Sequence, residues 1–438
     1  MNKLGLILSY LTSTFLLSFS TAAFAQQSLE ELIKQNSFAI QIEQDEMKGP
    51  GADTLLKAAR EAELFLFGEN HGIVQIADFS HLLYKKLSSE KPRHFVTEIG
   101  PATAALVEEK IRAGNYESYM DEGVNLHAVP FFFLKEEVPI LNSLTNNFPN
   151  TSPVLWGLDQ EFVAGAPVVF DQLEKVLETE AEKEALESAR SSAFFNPFLI
   201  GMGEGDALQE LHEHMLSSGN EAASKITSQL VLSHKIYLEQ MGGDSKWSNT
   251  RREDLMMENF LDYAEASGDT SATYFFKFGA YHLHRGKSPT VEKALGLQVD
   301  EWAKSQGMST SNIFVDAIKG ETRDALMGQT TEISTSSLWM KSPFGSFVQD
   351  QPMLFSLAEL KGNPELEKAS YKIRLLVEGY DYLLLFPEGS ASEFLEGTLV
   401  THAYGAAILA FAVLILIALI FGVIKLIKRI RKRRRAGA

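Results

Sequence analysis

The stretch Leu64-Phe65-Leu66-Phe67-Gly68-Glu69-Asn70-His71-Gly72 joins a short apolar run to a polar turn bounded by two glycines. An apolar run of this length, stopped by a turn, is typical of a strand buried on both faces of a sheet. The strand candidates of this kind are residues 63–67, 94–98, 153–158, 273–281, 312–316 and 380–386. Stretches with a period of 3.6 residues lie between them, such as 76–87, 102–113 and 253–266, and predict helices. The alternation predicts an α/β domain with a largely parallel central sheet flanked by helices.

Two stretches depart from this alternation. Residues 168–242 are rich in Glu, Ala, Lys and Leu and hold no convincing strand, so they predict a helical insertion within the domain, which we place at residues 26–390. Residues 328–351 are rich in Ser, Thr and Gly, and this composition predicts a loop.

Composition excludes several classes of protein. The 438 residues contain no cysteine, which excludes a disulfide framework, a thiol nucleophile and a thiolate zinc site. Between the two termini, 31 basic residues face 57 acidic ones, a formal charge of −26. Nucleic acid is therefore not expected as a partner, because such a body repels phosphates.

The N-terminus predicts export. Lys3 gives a positive start, residues 4–19 are mostly apolar, and Ala23-Phe24-Ala25 forms a small-x-small cleavage site. Residues 1–25 therefore predict a secretory signal peptide.

The C-terminus predicts a membrane anchor. Residues 403–424 lack charge and are long enough to span a bilayer, and a basic tail, 425–438, follows at once. By the positive-inside rule the tail is cytoplasmic and the main domain is periplasmic or extracellular, joined to the single-pass helix by a linker, 391–402. A sorting signal that is later cleaved has a similar pattern and stays an alternative.

Polar residues follow four of the predicted strands, at the points where those strands end. They are Glu69, His71, Glu98, Asp159, His282 and His284. Ligands of open α/β sheets bind beyond the carboxyl ends of the strands, so these side chains are expected to meet at one rim. Each residue alone fits a turn or a helix cap equally well; four such strand ends in one sheet favour a functional site.

The remaining histidines fit structural or surface roles. His212 and His214 are two residues apart on a predicted helix and so lie on different faces, which is poor metal geometry. The others are His81, His94, His127 and His234.

Several ordered motifs resemble the superfamily of erythromycin esterases, the haem-binding lipoprotein ChaN and the TIKI proteases. Gly68-Glu69-Asn70-His71-Gly72 resembles the Gly-Glu-x-(x)-His-Gly of the esterases, and Gly157-Leu158-Asp159 their Gly-Phe-Asp. Glu98, the helix segment Arg252–Asn259 and Tyr281-His282-Leu283-His284 match further motifs in order. One residue separates Glu69 from His71, which is closer to the spacing of ChaN, whereas the esterases have two. The resemblance covers roughly residues 55–390.

The resemblance implies a hydrolase of an ester or amide bond. His71 is the expected general base, and Glu69 and Glu98 orient it or position water. His282 or His284 stabilises an oxyanion, and Arg252 does so or holds a substrate carboxylate. Asp159 and Tyr281 are expected to bind a small-molecule or peptide substrate. A covalent acyl-enzyme is not expected, because the chain has no cysteine and no Gly-x-Ser-x-Gly elbow.

Three alternatives stay open at this stage. Glu69, His71, Glu98 and His282 have the ligand chemistry for a divalent metal, as in a metal-dependent peptidase of the TIKI type. Haem could bind through Tyr281 or a histidine. The third alternative is a ligand-binding protein of the ChaN type without turnover.

Overall fold

The central sheet forms from the apolar runs of the sequence. A computed structural model of the chain describes residues 28–122, 127–148, 153–203, 205–324, 328–333, 339 and 342–396. The strands within these ranges are β1 Ser37–Ala39, β2 Gln41–Glu43, β3 Glu46–Lys48, β4 Leu64–Glu69, β5 His94–Thr97, β6 Leu155–Gly157, β7 Tyr274–Gly279, β8 Thr310–Ala317, β9 Gly320–Arg323, β10 Thr330–Ile333, β11 Met353–Ser356 and β12 Tyr382–Phe386.

Helices connect these strands. They are α1 Leu29–Gln35, α2 Pro50–Glu61, α3 Val74–Glu90, α4 Pro101–Arg112, α5 Tyr116–Asp121, α6 Val138–Asn147, α7 Ala166–Glu174, α8 Glu180–Phe195, α9 Asp206–Ser218, α10 Glu221–Gly242, α11 Ser245–Ser267, α12 Leu295–Ser305 and α13 Tyr371–Gly379. Several begin at a side-chain cap. Thr179 and Glu182, for example, form a reciprocal capping box that satisfies free N–H groups at the start of α8.

The main sheet has eight strands in the order β1-β11-β12-β8-β4-β7-β5-β6. The six strands from β12 to β6 pair in parallel, and β11 and β1 add an antiparallel edge. Every residue of β4 is buried, which explains the unbroken apolar run over its first four residues, 64–67. The prediction of an α/β fold with a largely parallel central sheet is confirmed.

The connections after β4 and β7 leave on opposite faces of the sheet. The helix after β4, α3, packs with Phe65 and Phe67 on one face. The helix after β7, α12, packs with Leu66 and Phe276 on the other face. Since β4 and β7 are neighbours, their loops diverge and leave a crevice at the carboxyl edge, the usual ligand position in such sheets.

Residues 166–242 form the four helices α7 to α10, which share an apolar cluster of their own. Six short strands were not expected from the sequence, namely β1, β2, β3, β9, β10 and β11. The hairpin of β2 and β3 follows β1, and β10 lies inside the predicted loop 328–351, where its residues pair antiparallel with β9. The prediction of a loop was wrong for 330–333 because backbone pairing with β9 overrides the polar composition.

A C-terminal strap, residues 387–396, runs back across the domain. The Ser392 N–H donates to the Gly72 carbonyl at 3.0 Å, and the Leu395 N–H donates to the Phe133 carbonyl at 2.8 Å. The Phe394 ring stacks on Phe133 with ring centres 5.9 Å apart. The first part of the stretch expected to be a linker is thus packed against the loop that carries His71.

None of the helices in the described ranges is both long and apolar enough to cross a membrane. The predicted signal peptide, 1–25, and the predicted membrane helix and tail, 403–438, lie outside the described residues.

We expect removal of the strap to destabilise the domain. A fragment of residues 26–386 loses the backbone hydrogen bonds to Gly72 and Phe133 and the Phe394 contact, whereas residues 26–398 keep them. The shorter fragment should lose at least about 2 kcal/mol of unfolding free energy in urea titrations. Equal denaturation midpoints for the two fragments would show that the strap contributes no stability.

Candidate active site

His71 lies at the carboxyl end of β4, with its side chain 24% exposed. Its Nδ1 is 2.9 Å from Glu69 Oε1, and its Nε2 is 3.4 Å from Glu98 Oε2. Glu69 is the last residue of β4 and His71 lies in the bend that follows, two positions later, where the carboxylate reaches the imidazole. The carboxylate of Glu69 thereby fixes the orientation of the His71 ring.

Glu69 is itself held by a buried lysine. Lys277 Nζ, from β7, donates to Glu69 Oε1 at 2.7 Å and to both oxygens of Glu137 at 2.8 Å. All three side chains are at most 5% exposed. A lysine buried this deeply is stable only when carboxylates surround it.

Glu98 lies at the centre of the crevice. Its Oε2 accepts from the Gly279 N–H at 2.7 Å, and its Oε1 accepts from Arg252 Nη2 at 2.9 Å. His282 Nε2 is 3.4 Å from the same Oε1. Glu98 therefore links the loop after β7 to α11 and to both histidines.

His282 repeats the arrangement of His71 on the other side of Glu98. It belongs to a 3-10 turn, Ala280–His282, directly after β7, and is 15% exposed. Its Nδ1 is 2.6 Å from Glu253 Oε1, and Glu253 Oε2 accepts from the Leu295 N–H at 2.8 Å. Each histidine thus has Nδ1 on a carboxylate that is fixed elsewhere, and Nε2 facing Glu98.

Arg252 closes the crevice from α11. Its Nε donates to Asp159 Oδ1 at 2.8 Å, and its Nη2 hydrogen-bonds Asp159 Oδ2. Asp159 is buried, and the Gln160 N–H donates to its Oδ1. Arg252 is therefore held in place by Asp159 and presents Nη2 to Glu98.

The charges in this cluster favour protonated histidines. Among the described residues, the cluster combines five carboxylates with two permanent cations, Lys277 and Arg252. Burial opposes the charged form of His71, but hydrogen bonds to Glu69 and Glu98 outweigh it and raise its pKa to about 9. Burial acts in the same way on His282, where Glu253 and Glu98 raise the pKa to about 10.

The same charges act on the carboxylates. Burial raises the pKa of Glu98, but the neighbouring His282 and His71 outweigh it and hold that pKa well below its usual range. The pKa of Glu137 is raised because burial outweighs the attraction of Lys277.

The backbone around His71 is shaped for close approach. Gly72 has φ of +72°, and a Cβ there would come within 1.9 Å of the Arg323 carbonyl oxygen. Phe131 has φ of +64°, a strained value for an aromatic residue, and its ring centre lies 4.5 Å from that of His71. Strain of this kind is concentrated at functional sites, where the surrounding structure enforces it.

The structure brings together six of the predicted site residues, namely Glu69, His71, Glu98, Asp159, Arg252 and His282. It does not bring His284 into the cluster. His284 is 3% exposed, and its Nε2 bonds the Leu375 carbonyl at 2.8 Å. The 3-10 turn at 280–282 breaks the two-residue alternation, so His284 points into the domain. Tyr281 is 48% exposed and lines a separate cavity.

Sequence reasoning missed Lys277, Glu137 and Glu253. A signal was available for Lys277, because it is the one charged residue in the strand Tyr274–Gly279. Glu253 stands beside Arg252 in a segment already singled out for its resemblance. Glu137 lies in a short 3-10 turn, Lys135–Glu137, and nothing in the sequence around it indicates the crevice.

The residues do not fit the metal site that the sequence allowed. Across the described part of the chain, no group of three or more His, Asp or Glu side chains is arranged to hold a metal ion. Glu69 and Glu98, two of the expected ligands, bond Lys277 and Arg252, and these cations oppose a divalent ion beside them.

Haem does not fit the cavity beside Tyr281 either. That cavity measures about 230 Å³, below the roughly 300–1,000 Å³ of pockets that enclose drug-sized ligands. It is too small to enclose a porphyrin.

Solved structures share this fold at low sequence identity. A Bacillus cereus protein superposes with a TM-score of 0.58 at 13% identity, covering 83% of this chain and 98% of its own. A mutant of the erythromycin esterase EreC, in its open conformation, superposes with a TM-score of 0.53 at 13% identity. The alignment covers 78% of this chain and 95% of the esterase chain. The chain has the erythromycin esterase-like fold. The predicted resemblance is thereby confirmed at the level of the fold.

A third structure of this erythromycin esterase-like fold is described as a succinoglycan biosynthesis protein, with a TM-score of 0.56 at 14% identity, covering 83% of this chain and 97% of its own. ChaN of Campylobacter jejuni aligns with a TM-score of only 0.28, too low to support an argument. No protein-family model and no curated protein matches the chain.

The raised histidine pKa values predict a loss of stability at alkaline pH. Both histidines are charged in the folded protein up to about pH 9, whereas an unfolded histidine loses its proton near pH 6.5. Their contribution is therefore complete below about pH 6.5 and is lost as the pH rises through 9 to 10, by on the order of 3–5 kcal/mol for each histidine. Urea titrations at several pH values measure this slope.

Two variants control this measurement. His71→Asn should make the pH slope shallower, while His81→Asn, on α3 and bonded to Ser143, should leave it unchanged. A wild-type stability that stays constant from pH 7 to 10 would contradict the charged histidine pair.

Proposed function

We propose that the protein hydrolyses an ester or amide bond in the crevice between β4 and β7, with His71 as general base. One observation carries the proposal. His71 and His282 each bond a fixed carboxylate through Nδ1 and turn Nε2 toward Glu98. A base that one carboxylate orients through Nδ1, and whose Nε2 has only a longer contact that water or substrate can displace, fits general-base hydrolysis.

In the proposed reaction, neutral His71 takes a proton from water through Nε2 while the water oxygen attacks the substrate carbonyl carbon. The Nδ1–H group of His71 keeps its hydrogen bond to Glu69, and Lys277 holds that carboxylate in place. The proton on His71 then passes to the leaving alcohol or amine as the bond from carbonyl carbon to leaving group breaks. The products are a carboxylic acid and that alcohol or amine.

His282 is the proposed oxyanion donor. Its raised pKa, about 10, keeps it cationic at neutral pH, so its Nε2–H can donate to the developing negative charge. The Nε2 contacts with Glu98 are 3.4 Å for both histidines, longer than the 2.6–2.9 Å contacts at Nδ1. Substrate therefore competes for the weaker contacts and leaves the orienting ones intact. Arg252 keeps Glu98 in position.

We expect His71→Asn to lower kcat/KM for 4-nitrophenyl acetate by about 100-fold or more, because the amide can donate to Glu69 but cannot act as base. In the wild type, kcat/KM should rise with pH up to about 9, since His71 must lose its proton before it can accept one from water. His81→Asn is the matched control and should retain the wild-type rate. A His71→Asn protein as active as the wild type would rule out this base.

We further propose that the domain lies outside the cytoplasm, exported by residues 1–25 and anchored by residues 403–424. The support is the sequence: an apolar stretch with a cleavage pattern at one end, and an uncharged span followed by basic residues at the other.

Cell fractionation tests this anchor. The full chain should sediment with membranes, while residues 1–398 should be released as a folded protein after export, because the basic stop and the apolar span are both removed. A released fragment tests the anchor alone, and protease protection in intact cells tests the side of the membrane. If residues 1–398 stay with the membrane, the anchor lies elsewhere.

A further inference from the structure

A cavity of about 230 Å³ lies beside the proposed catalytic crevice. Asn70 and Tyr281 line it, and they are the direct neighbours of His71 and His282 along the chain. Asp316 and Ala317, at the carboxyl end of β8, also line it. The cavity therefore opens at the same edge of the sheet as the histidine pair, one strand further toward β12.

Aromatic rings form the wall of this cavity. Phe314 packs against Trp339 with ring centres 5.7 Å apart and against Tyr380 at 5.6 Å. The rings of Trp339 and Tyr380 are at most 2% exposed and belong to the apolar cluster beneath the cavity. A surface of this kind binds flat, apolar groups by burying their surface area and by ring contacts.

Asp316, the one carboxylate among the described residues of the wall, is already engaged. Asp316 Oδ1 accepts from Asn70 Nδ2 at 3.1 Å, and Oδ2 accepts from Trp339 Nε1 at 2.5 Å. Asp316 thus fixes two sides of the cavity and offers no strong site for a cationic ligand. The exposed Lys372 and the hydroxyl of Tyr281 supply polar groups along the lining.

The size of the cavity sets the size of its occupant. An apolar cavity of about 150 Å³ holds a benzene molecule, so a volume of about 230 Å³ suits one ring with a short substituent. A fused polycycle or a macrocycle does not fit inside it.

We propose that this cavity binds the acyl side of the substrate, a single ring or an apolar group of similar size, while the bond to be cleaved lies at His71 and His282. The position of the bond to be cleaved rests on the proposed hydrolase function. Binding of the apolar group depends on the cavity alone and can be measured without turnover.

The test compares kcat/KM for the hydrolysis of methyl phenylacetate and of methyl acetate, measured by the release of acid. Phenylacetate and acetate serve as the matched ligands for calorimetric binding. Ile333→Trp fills the cavity from the β9–β10 hairpin, where Ile333 is half-buried, and Ile333→Ala removes part of its wall without filling it. Thr331→Trp is the matched control, because Thr331 is exposed on the same strand and does not line the cavity. Urea midpoints for each variant verify folding.

The full-length wild type should prefer the phenylacetyl ester by about tenfold or more in kcat/KM, and should bind phenylacetate more tightly than acetate. Ile333→Trp should lower that preference at least tenfold and abolish the difference in affinity between phenylacetate and acetate. Ile333→Ala should weaken phenylacetate binding several-fold. Thr331→Trp should match the wild type in both measurements. Phenylacetate binding that is lost in Ile333→Trp supports the cavity even if no ester is hydrolysed, and in that case the hydrolase proposal alone fails. Hydrolysis without preference, or a preference that survives Ile333→Trp, overturns the cavity assignment and leaves the hydrolase proposal standing.

Discussion

The crevice depends on the balance of charge among buried side chains. The side chains of Glu69, Glu98, Glu137, Asp159 and Glu253 are each less than a tenth exposed, and burying a charge is costly unless an opposite charge pairs with it. Lys277, Arg252 and the two histidines meet these carboxylates alternately, so each charge has opposite charges as its nearest neighbours. Removing one member of such a buried set typically costs about 3–5 kcal/mol, because the partners keep their charge and lose its compensation. The cluster therefore has one favoured arrangement of its side chains, and this arrangement fixes the orientation of the two imidazole rings.

Sheet topology places this cluster where it is. The helices after β4 and β7 pack on opposite faces, so the loops that carry His71 and His282 separate above two neighbouring strands. Neither loop contains the whole site. The β4 end supplies Glu69 and His71, the β5 end supplies Glu98, and α11 supplies Arg252 and Glu253. The crevice exists only after parallel pairing has been completed over residues far apart in the chain.

The sequence predicted the sheet and much of the site because both follow a simple rule. Buried parallel strands are continuous apolar runs, and functional side chains follow their carboxyl ends, so Glu69, His71, Glu98, Asp159 and His282 could be found without coordinates. The rule failed at His284, where a 3-10 turn changes the direction of the side chain. It also missed Glu137, which reaches Lys277 through tertiary packing and has no local pattern. The strap was unpredictable for a similar reason, because its bonds to Gly72 and Phe133 join parts of the chain more than 250 residues apart.

Gly279, at the end of β7, is a position where the crowding around the histidine pair limits which residues the sequence can carry. A Cβ at this position would come within 2.9 Å of His71 Nε2 and 3.2 Å of Glu98 Oε2, although the backbone has an ordinary negative φ of −53°. The residue is thus restricted by space and not by backbone conformation, and any side chain there would separate the base from the central carboxylate. Among proteins of this fold, a glycine three positions before the strand-end histidine should therefore distinguish chains able to form this histidine–glutamate arrangement from chains that keep the same architecture for another purpose. A histidine alone is a weaker marker, since it can be retained as an ordinary packing residue.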